Sequence, residues 1–133
     1  MVKQDVFVNF FASIGVCSEM SDDLLMKTQQ FICEMYGHKG DNVNKVRYKL
    51  YAVKQGRVDP RLIPPCFDSL KMHFARAMYQ VHIWRICLIG HPDIPSPVGR
   101  GWDLNEHGDF VIKWDSINPA PNEIYNMMFG SCS

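Results

Sequence analysis

From the double proline Pro64-Pro65 onward, apolar side chains recur at Phe67, Leu70, Phe74, Ala77, Val81, Trp84 and Leu88, in alternating steps of three and four residues. That spacing predicts a helix over 66–89 with an unbroken apolar seam about 35 Å long at 1.5 Å of rise per residue. Pro65 is placed to open it, because the first helical residue has no partner for its N–H and proline supplies the right torsion. A seam of that length needs cover from end to end. The rest of the chain is therefore expected to gather around this one rod.

Shorter helical patterns precede it. Phe7, Phe10, Phe11 and Ile14 share a face, predicting a helix over 4–14 that Gly15 stops. Ser21 is an N-cap followed by Asp22 and Asp23, which suit the positive end of a helix dipole, and the helix 21–36 closes at Gly37. Its inward face is Leu24, Leu25, Thr28, Phe31, Ile32 and Met35. A third helix over 42–54 turns Val43, Val46, Leu50 and Val53 inward and stops at Gly56. The prolines of Arg57–Pro65 make that linker extended.

Beyond Gly90 the texture changes. Residues 91–101 hold three prolines and two glycines and exclude regular structure. Trp102 and Leu104, then Phe110, Ile112 and Trp114, alternate on either side of the polar run Asn105–Asp109, which predicts a β-hairpin over 102–114. A two-stranded hairpin is marginal alone, so it is expected to lie on the helices, with Trp84, Trp102 and Trp114 buried together there. The alternative for those tryptophans is an aromatic recognition groove. A last helix over 121–129 follows Pro119-Ala120-Pro121. The expected fold is α+β and mainly helical, a small bundle of four to five helices around the long helix with a C-terminal hairpin, in a single domain spanning 1–133.

A chain of 133 residues, 47% apolar and 21% charged, can build a core and is not the composition of a disordered protein. No apolar run approaches the ~20 residues of a membrane span. Asp5 and Asn9 interrupt the N-terminal apolar stretch and no small-residue cleavage site follows, so an amphipathic helix explains it better than a secretion signal. Cys17, Cys33, Cys66, Cys87 and Cys132 lie at least sixteen residues apart. An odd number without paired spacing reads as reduced, mostly buried thiols, and places the protein in a cytoplasmic or nuclear compartment.

The formal net charge is zero, yet unevenly spread. Residues 1–37 hold two Lys against five acids, residues 38–100 eleven Lys and Arg against four, and residues 101–133 one Lys against five. In the basic middle, Lys45, Arg47, Lys49, Lys54, Arg57 and Arg61 could track phosphates, with Tyr48 or Tyr51 stacking on a base. The same belt could instead neutralise the acidic ends of its own chain.

The stretches Leu62-Ile63-Pro64-Pro65, Asp68-Ser69-Leu70, His73, Arg76-Ala77, Tyr79-Gln80 and Trp84-Arg85 form a recognisable pattern, continued by Pro95-Ser96-Pro97, Gly101-Trp102, Trp114 and Pro119-Ala120-Pro121. With Phe31, Tyr36-Gly37, Asn44, Arg47-Tyr48 and Leu50-Tyr51 it spans residues 24–133. It resembles an uncharacterised invertebrate family of mobile-element-associated proteins. In longer members this region lies between a flap-endonuclease-like domain and a cysteine-rich tail. Neither has a counterpart in this sequence, so the resemblance carries over no nuclease activity, no tail metal site and no functional residues.

Candidate chemistry is sparse. Cys66, His73, Gln80 and Cys87 recur every seven residues, about 10.5 Å of helix rise, too far for neighbours to share a metal. His73, Arg76 and Gln80 on succeeding turns predict a polar network that either fixes packing against the proline-rich loop or receives a partner or a phosphate. No nucleophile elbow, phosphate loop, metalloprotease motif or carboxylate pair stands out, so no catalytic, cofactor or metal residues are expected. The functional expectation is a non-catalytic accessory or protein-interaction module with an unknown protein partner and no membrane association. The alternative is a nucleic-acid-binding module using residues 39–61.

Overall fold

The computed structural model describes residues 4–55, 57 and 59–117; the helix expected over 121–129 lies outside them. The chain is mixed α+β and mainly helical, with four α-helices and a two-stranded antiparallel sheet among the described residues. The helices are α1 (Gln4–Ser13), α2 (Asp22–Met35), α3 (Val43–Val53) and α4 (Phe67–Ile86), with a single 3₁₀ turn at Pro60–Leu62. Strands β1 (Trp102–Leu104) and β2 (Phe110–Ile112) pair in the register Trp102↔Ile112, Asp103↔Val111, Leu104↔Phe110.

Helix ends follow local chemistry. Ser21 Oγ accepts the Leu24 N–H at 3.2 Å and Asn42 Oδ1 accepts the Lys45 N–H at 3.0 Å, each capping a first turn. At the end of α2 the Gly37 N–H reaches Glu34 O and the His38 N–H reaches Cys33 O, satisfying two carbonyls the helix would otherwise leave bare. The left-handed residue after α3 is Gln55, at φ 50°.

α4 is shorter than expected, beginning at Phe67 and ending before Cys87 and Leu88. Pro65 is not its first residue. Cys66 holds the N-cap position without a side-chain cap, and Asn44 of α3 caps the helix from outside, its Oδ1 accepting the Phe67 N–H at 2.9 Å. The following residues make two apolar clusters. Phe74 and Met78 of α4 join Phe7 and Phe10 of α1, with Leu24 and Phe31 of α2 against them. Leu70 joins Cys33, Val43 and Val46 of α2 and α3. Edge-on contacts of Phe31 with Phe7 at 5.2 Å and with Phe11 at 4.9 Å lock α1 onto α2.

The seam of α4 does not stay buried. Leu70 and Phe74 are buried, Ala77 and Val81 half-buried, Trp84 is 65% exposed and Leu88, past the helix end, is 95% exposed. The reason is cover: the apolar clusters that α1, α2 and α3 build on α4 extend no further along it than Met78, and the drift of about 20° per heptad is too small to expose the stripe by itself. Ala75 and Met78 are buried in its place. Val53 and Met35, read as inward-facing, also lie at the surface.

α1 and the proline-rich loop each press a glycine onto α4. A Cβ on Gly15 would stand 2.6 Å from Val81 Cγ1 and 2.8 Å from the His82 backbone nitrogen, and one on Gly101 would stand 2.6 Å from the Met72 carbonyl. Both glycines hold positive φ, 74° and 79°. His82 and Arg85 bind the open end of α1. Arg85 donates to Ala12 O at 2.8 Å and Ile14 O at 2.9 Å, and His82 Nδ1 lies 3.1 Å from Gly15 O.

Candidate functional site

The basic residues take three different roles. Arg47 donates to the Pro64 carbonyl, which ties its side chain to the linker. Arg61 folds back on Asp59, with Nη2 2.6 Å from Oδ2, and this contact holds the Asp59 carboxyl below the usual carboxylate range. Lys45, Lys49, Lys54 and Arg57 are exposed and form no ion pair among the described residues. None of these four pairs with the acidic ends among the described residues, where Asp23 pairs with Lys27 and Asp103 with Lys113; the one ion pair from the basic middle to an acidic end there is Arg100 with Glu19, 3.7 Å apart. Tyr48 and Tyr51, 73% and 52% exposed, share α3 with Lys45 and Lys49.

Beside α3 a groove of about 780 Å³ opens toward the start of α4, lined by Asn44, Tyr48, Tyr51, Pro65, Phe67 and Lys71 among others. Among the described residues its one lining carboxylate is Asp68. Burial pushes that carboxyl up, but hydrogen bonds from the Ser116 hydroxyl and backbone N–H, and from the Ile117 N–H at 3.0 Å, outweigh it, with Lys71 adding attraction. The net result lies below the usual carboxylate range.

Among the described residues the polar line of His73, Arg76 and Gln80 does not form a network. Arg76 alone is engaged, donating to Lys113 O at 2.6 Å and Gly101 O at 3.3 Å with its guanidinium 5.3 Å from the Trp114 ring centre. His73 and Gln80 are exposed. Their common spacing on α4 says nothing of which side the hairpin approaches, and it approaches on the side of Ser69, Met72 and Arg76.

The hairpin is joined to α4 at this junction, and apart from half-buried Trp102 its strand residues are exposed and not covered by the described helices. Every residue of β2 is exposed. Its paired positions place Trp102, Leu104, Phe110 and Ile112 on one face, and Trp114 continues the alternation. Phe110 is 56% and Trp114 64% exposed, so the three tryptophans are not buried together. Asn105 organises the turn, its Oδ1 accepting the N–H groups of His107 and Asp109 at 2.9 Å each. From the sequence the tryptophans are expected to be buried against the helices, with an aromatic recognition groove as the alternative.

Cys33 alone of the four described cysteines is buried, Cys66 is intermediate, and Cys17 and Cys87 are exposed, which corrects the expectation of mostly buried thiols. All four are free, and burial pushes the Cys33 thiol up. Among the described residues no helix is long and apolar enough to cross a membrane.

Residues of the recognised sequence pattern meet at two junctions. Tyr36 donates to Ile63 O at 3.4 Å, Arg47 to Pro64 O, and Asn44 accepts from Phe67, so three side chains fix the proline entry to α4. Arg76, Gly101 and Trp114 meet at the hairpin base. No family model matches this chain, and no curated protein or solved structure shows significant similarity to it.

Proposed function

We propose that this chain is a non-catalytic interaction module, descended from a mobile-element protein and working inside the cell, whose hairpin face docks on a protein partner. The helices serve as its scaffold, a small bundle organised on α4, which contributes to both apolar clusters. One observation carries the reading: Leu104, Phe110, Ile112 and Trp114 are exposed on a hairpin tethered to α4 through its base. Isolated surface apolar residues need no explanation, but a contiguous apolar face on an arm that is marginal by itself marks an interaction site. The mobile-element descent is supported by the sequence pattern, whose residues supply the contacts at both junctions.

The test places a photo-crosslinking residue at position 110 in the full chain in cells and, separately, measures the stability of Phe110→Ser. A docking face gives crosslinks to one recurrent protein and a variant whose Tm matches the parent. Crosslinks confined to the chain itself, with a drop in Tm of many degrees, would assign the face to the core and end the reading.

A second reading, nucleic-acid binding, is favoured by Lys45, Lys49, Lys54 and Arg57 standing exposed and without ion pairs among the described residues. Its test is binding to labelled nucleic acid over a salt series, where affinity should fall linearly on logarithmic axes. No binding at low salt would exclude it.

A further inference from the structure

We propose that the groove between α3 and the first turn of α4 receives an unpaired nucleobase, making single-stranded nucleic acid the ligand of the basic helix. The inference rests on the nucleic-acid reading and names the form of the ligand and its seat.

The arrangement of α3 divides the work. At 100° per residue, Asn44, Arg47, Tyr48 and Tyr51 fall on the flank that lines the groove, while Lys45 and Lys49 fall one step further round, one turn apart. A strand lying along the lysines therefore has its phosphates on the outer flank and its bases turned toward the tyrosines. Tyr48 stands at the border, three residues from Lys45 and three from Tyr51.

The groove suits a flat heterocycle. Tyr48, Tyr51 and Phe67 offer aromatic surface, and its volume of about 780 Å³ exceeds what one base needs. Asn44 spends its amide oxygen on the Phe67 N–H, leaving its NH₂ group to donate to a base's ring nitrogen or carbonyl. The Asp68 carboxylate is engaged by Ser116 and Ile117, and Lys71 lies beside it. Duplex nucleic acid does not meet these features, because a stacked and paired base has no free face to insert. Stacking on aromatic side chains is the hallmark of single-strand binding and tolerates any base.

The experiment measures fluorescence anisotropy of the full chain with a labelled mixed-sequence single strand, the same sequence as a duplex, and a labelled poly-glutamate peptide, across a salt series. The single strand should bind at least about ten times tighter than the duplex or the peptide. Tyr48→Ala and Tyr51→Ala should each weaken it about 5- to 100-fold without changing the salt slope. Lys45→Ala and Lys49→Ala should each reduce that slope by about 0.7. Circular dichroism establishes that the variants, altered at exposed positions, stay folded. Equal affinity for duplex, or tyrosine variants that bind like the parent while the lysine variants do not, overturns the base-binding groove and leaves the nucleic-acid reading standing. A preference for poly-glutamate, or no binding of any nucleic acid at low salt, overturns both.

Discussion

Gly15 is where one missing methyl group decides how closely two helices approach. Its φ of 74° and the 2.6 Å that a Cβ would leave to Val81 make two separate demands, whereas Gly37, at φ 76°, has open space around it. Gly37→Ala should therefore cost only the left-handed strain, about 1–2 kcal/mol. Gly15→Ala should cost roughly 1–3 kcal/mol more, because the α1–α4 contact is overpacked as well. Equal losses in urea unfolding would show that α1 can back away freely. Asp68 is the second instructive residue. Burial opposes its charge, yet the donors Ser116 and Ile117 win and hold its folded carboxyl below the ordinary value of 3.8. A depressed carboxyl contributes its full stability above the unfolded pKa and loses it as pH falls through the folded one. The parent's Tm should thus drop more steeply than that of Asp68→Asn from about pH 5 downward, and the two should differ most near neutrality.

Among the elements, α4 shows how periodicity and burial part company. The stripe Leu70, Ala77, Trp84 is exact in sequence and progressively more exposed in space, since neither apolar cluster extends along α4 past Met78. Truncation should report this directly. Phe74→Ala should cost about 3–5 kcal/mol, as for a buried aromatic, while Trp84→Ser should stay within about 0.5 kcal/mol. A large loss at Trp84 would mean that the seam is covered after all. Helix starts behave differently. Ser21 caps as read, and Asn42 caps α3 in the same way, because the cap and the N–H it accepts lie three residues apart. The start of α4 was misread because its cap, Asn44, comes from another helix twenty-three residues earlier.

On the scale of the whole molecule, the helices and the hairpin are held by different forces. The helices share apolar clusters, whereas the hairpin is fixed by polar contacts at its base: Arg76 to two carbonyls, Ser69 to Asp115, and Asp68 to Ser116. Burial pushes the Arg76 guanidinium down from its ordinary pKa, with Asp115 partly opposing that. Its charge is compensated through those carbonyls and the face of Trp114. Arg76→Ala should therefore speed amide exchange across residues 101–113 at least tenfold while leaving α2 protected. Uniform loss of protection would show that hairpin and helices unfold as one unit.

Four helical stretches and one hairpin were legible in the residues alone, because caps, terminal glycines, proline punctuation and alternation all act within a few positions of where they are written. The candidate surfaces were legible only as residue types. The lysines and tyrosines of 45–51 and the aromatics of 102–114 were visible, but whether each lay inside or outside was not. The fate of Arg47, Arg76 and Arg85 depended on carbonyls seventeen to seventy-three residues away. Tertiary structure alone decided which side of α4 is covered, which cationic side chains are tied to carbonyls, and which apolar faces stay in water. Burial is a property of what arrives from elsewhere in the chain, and no local spacing encodes that arrival.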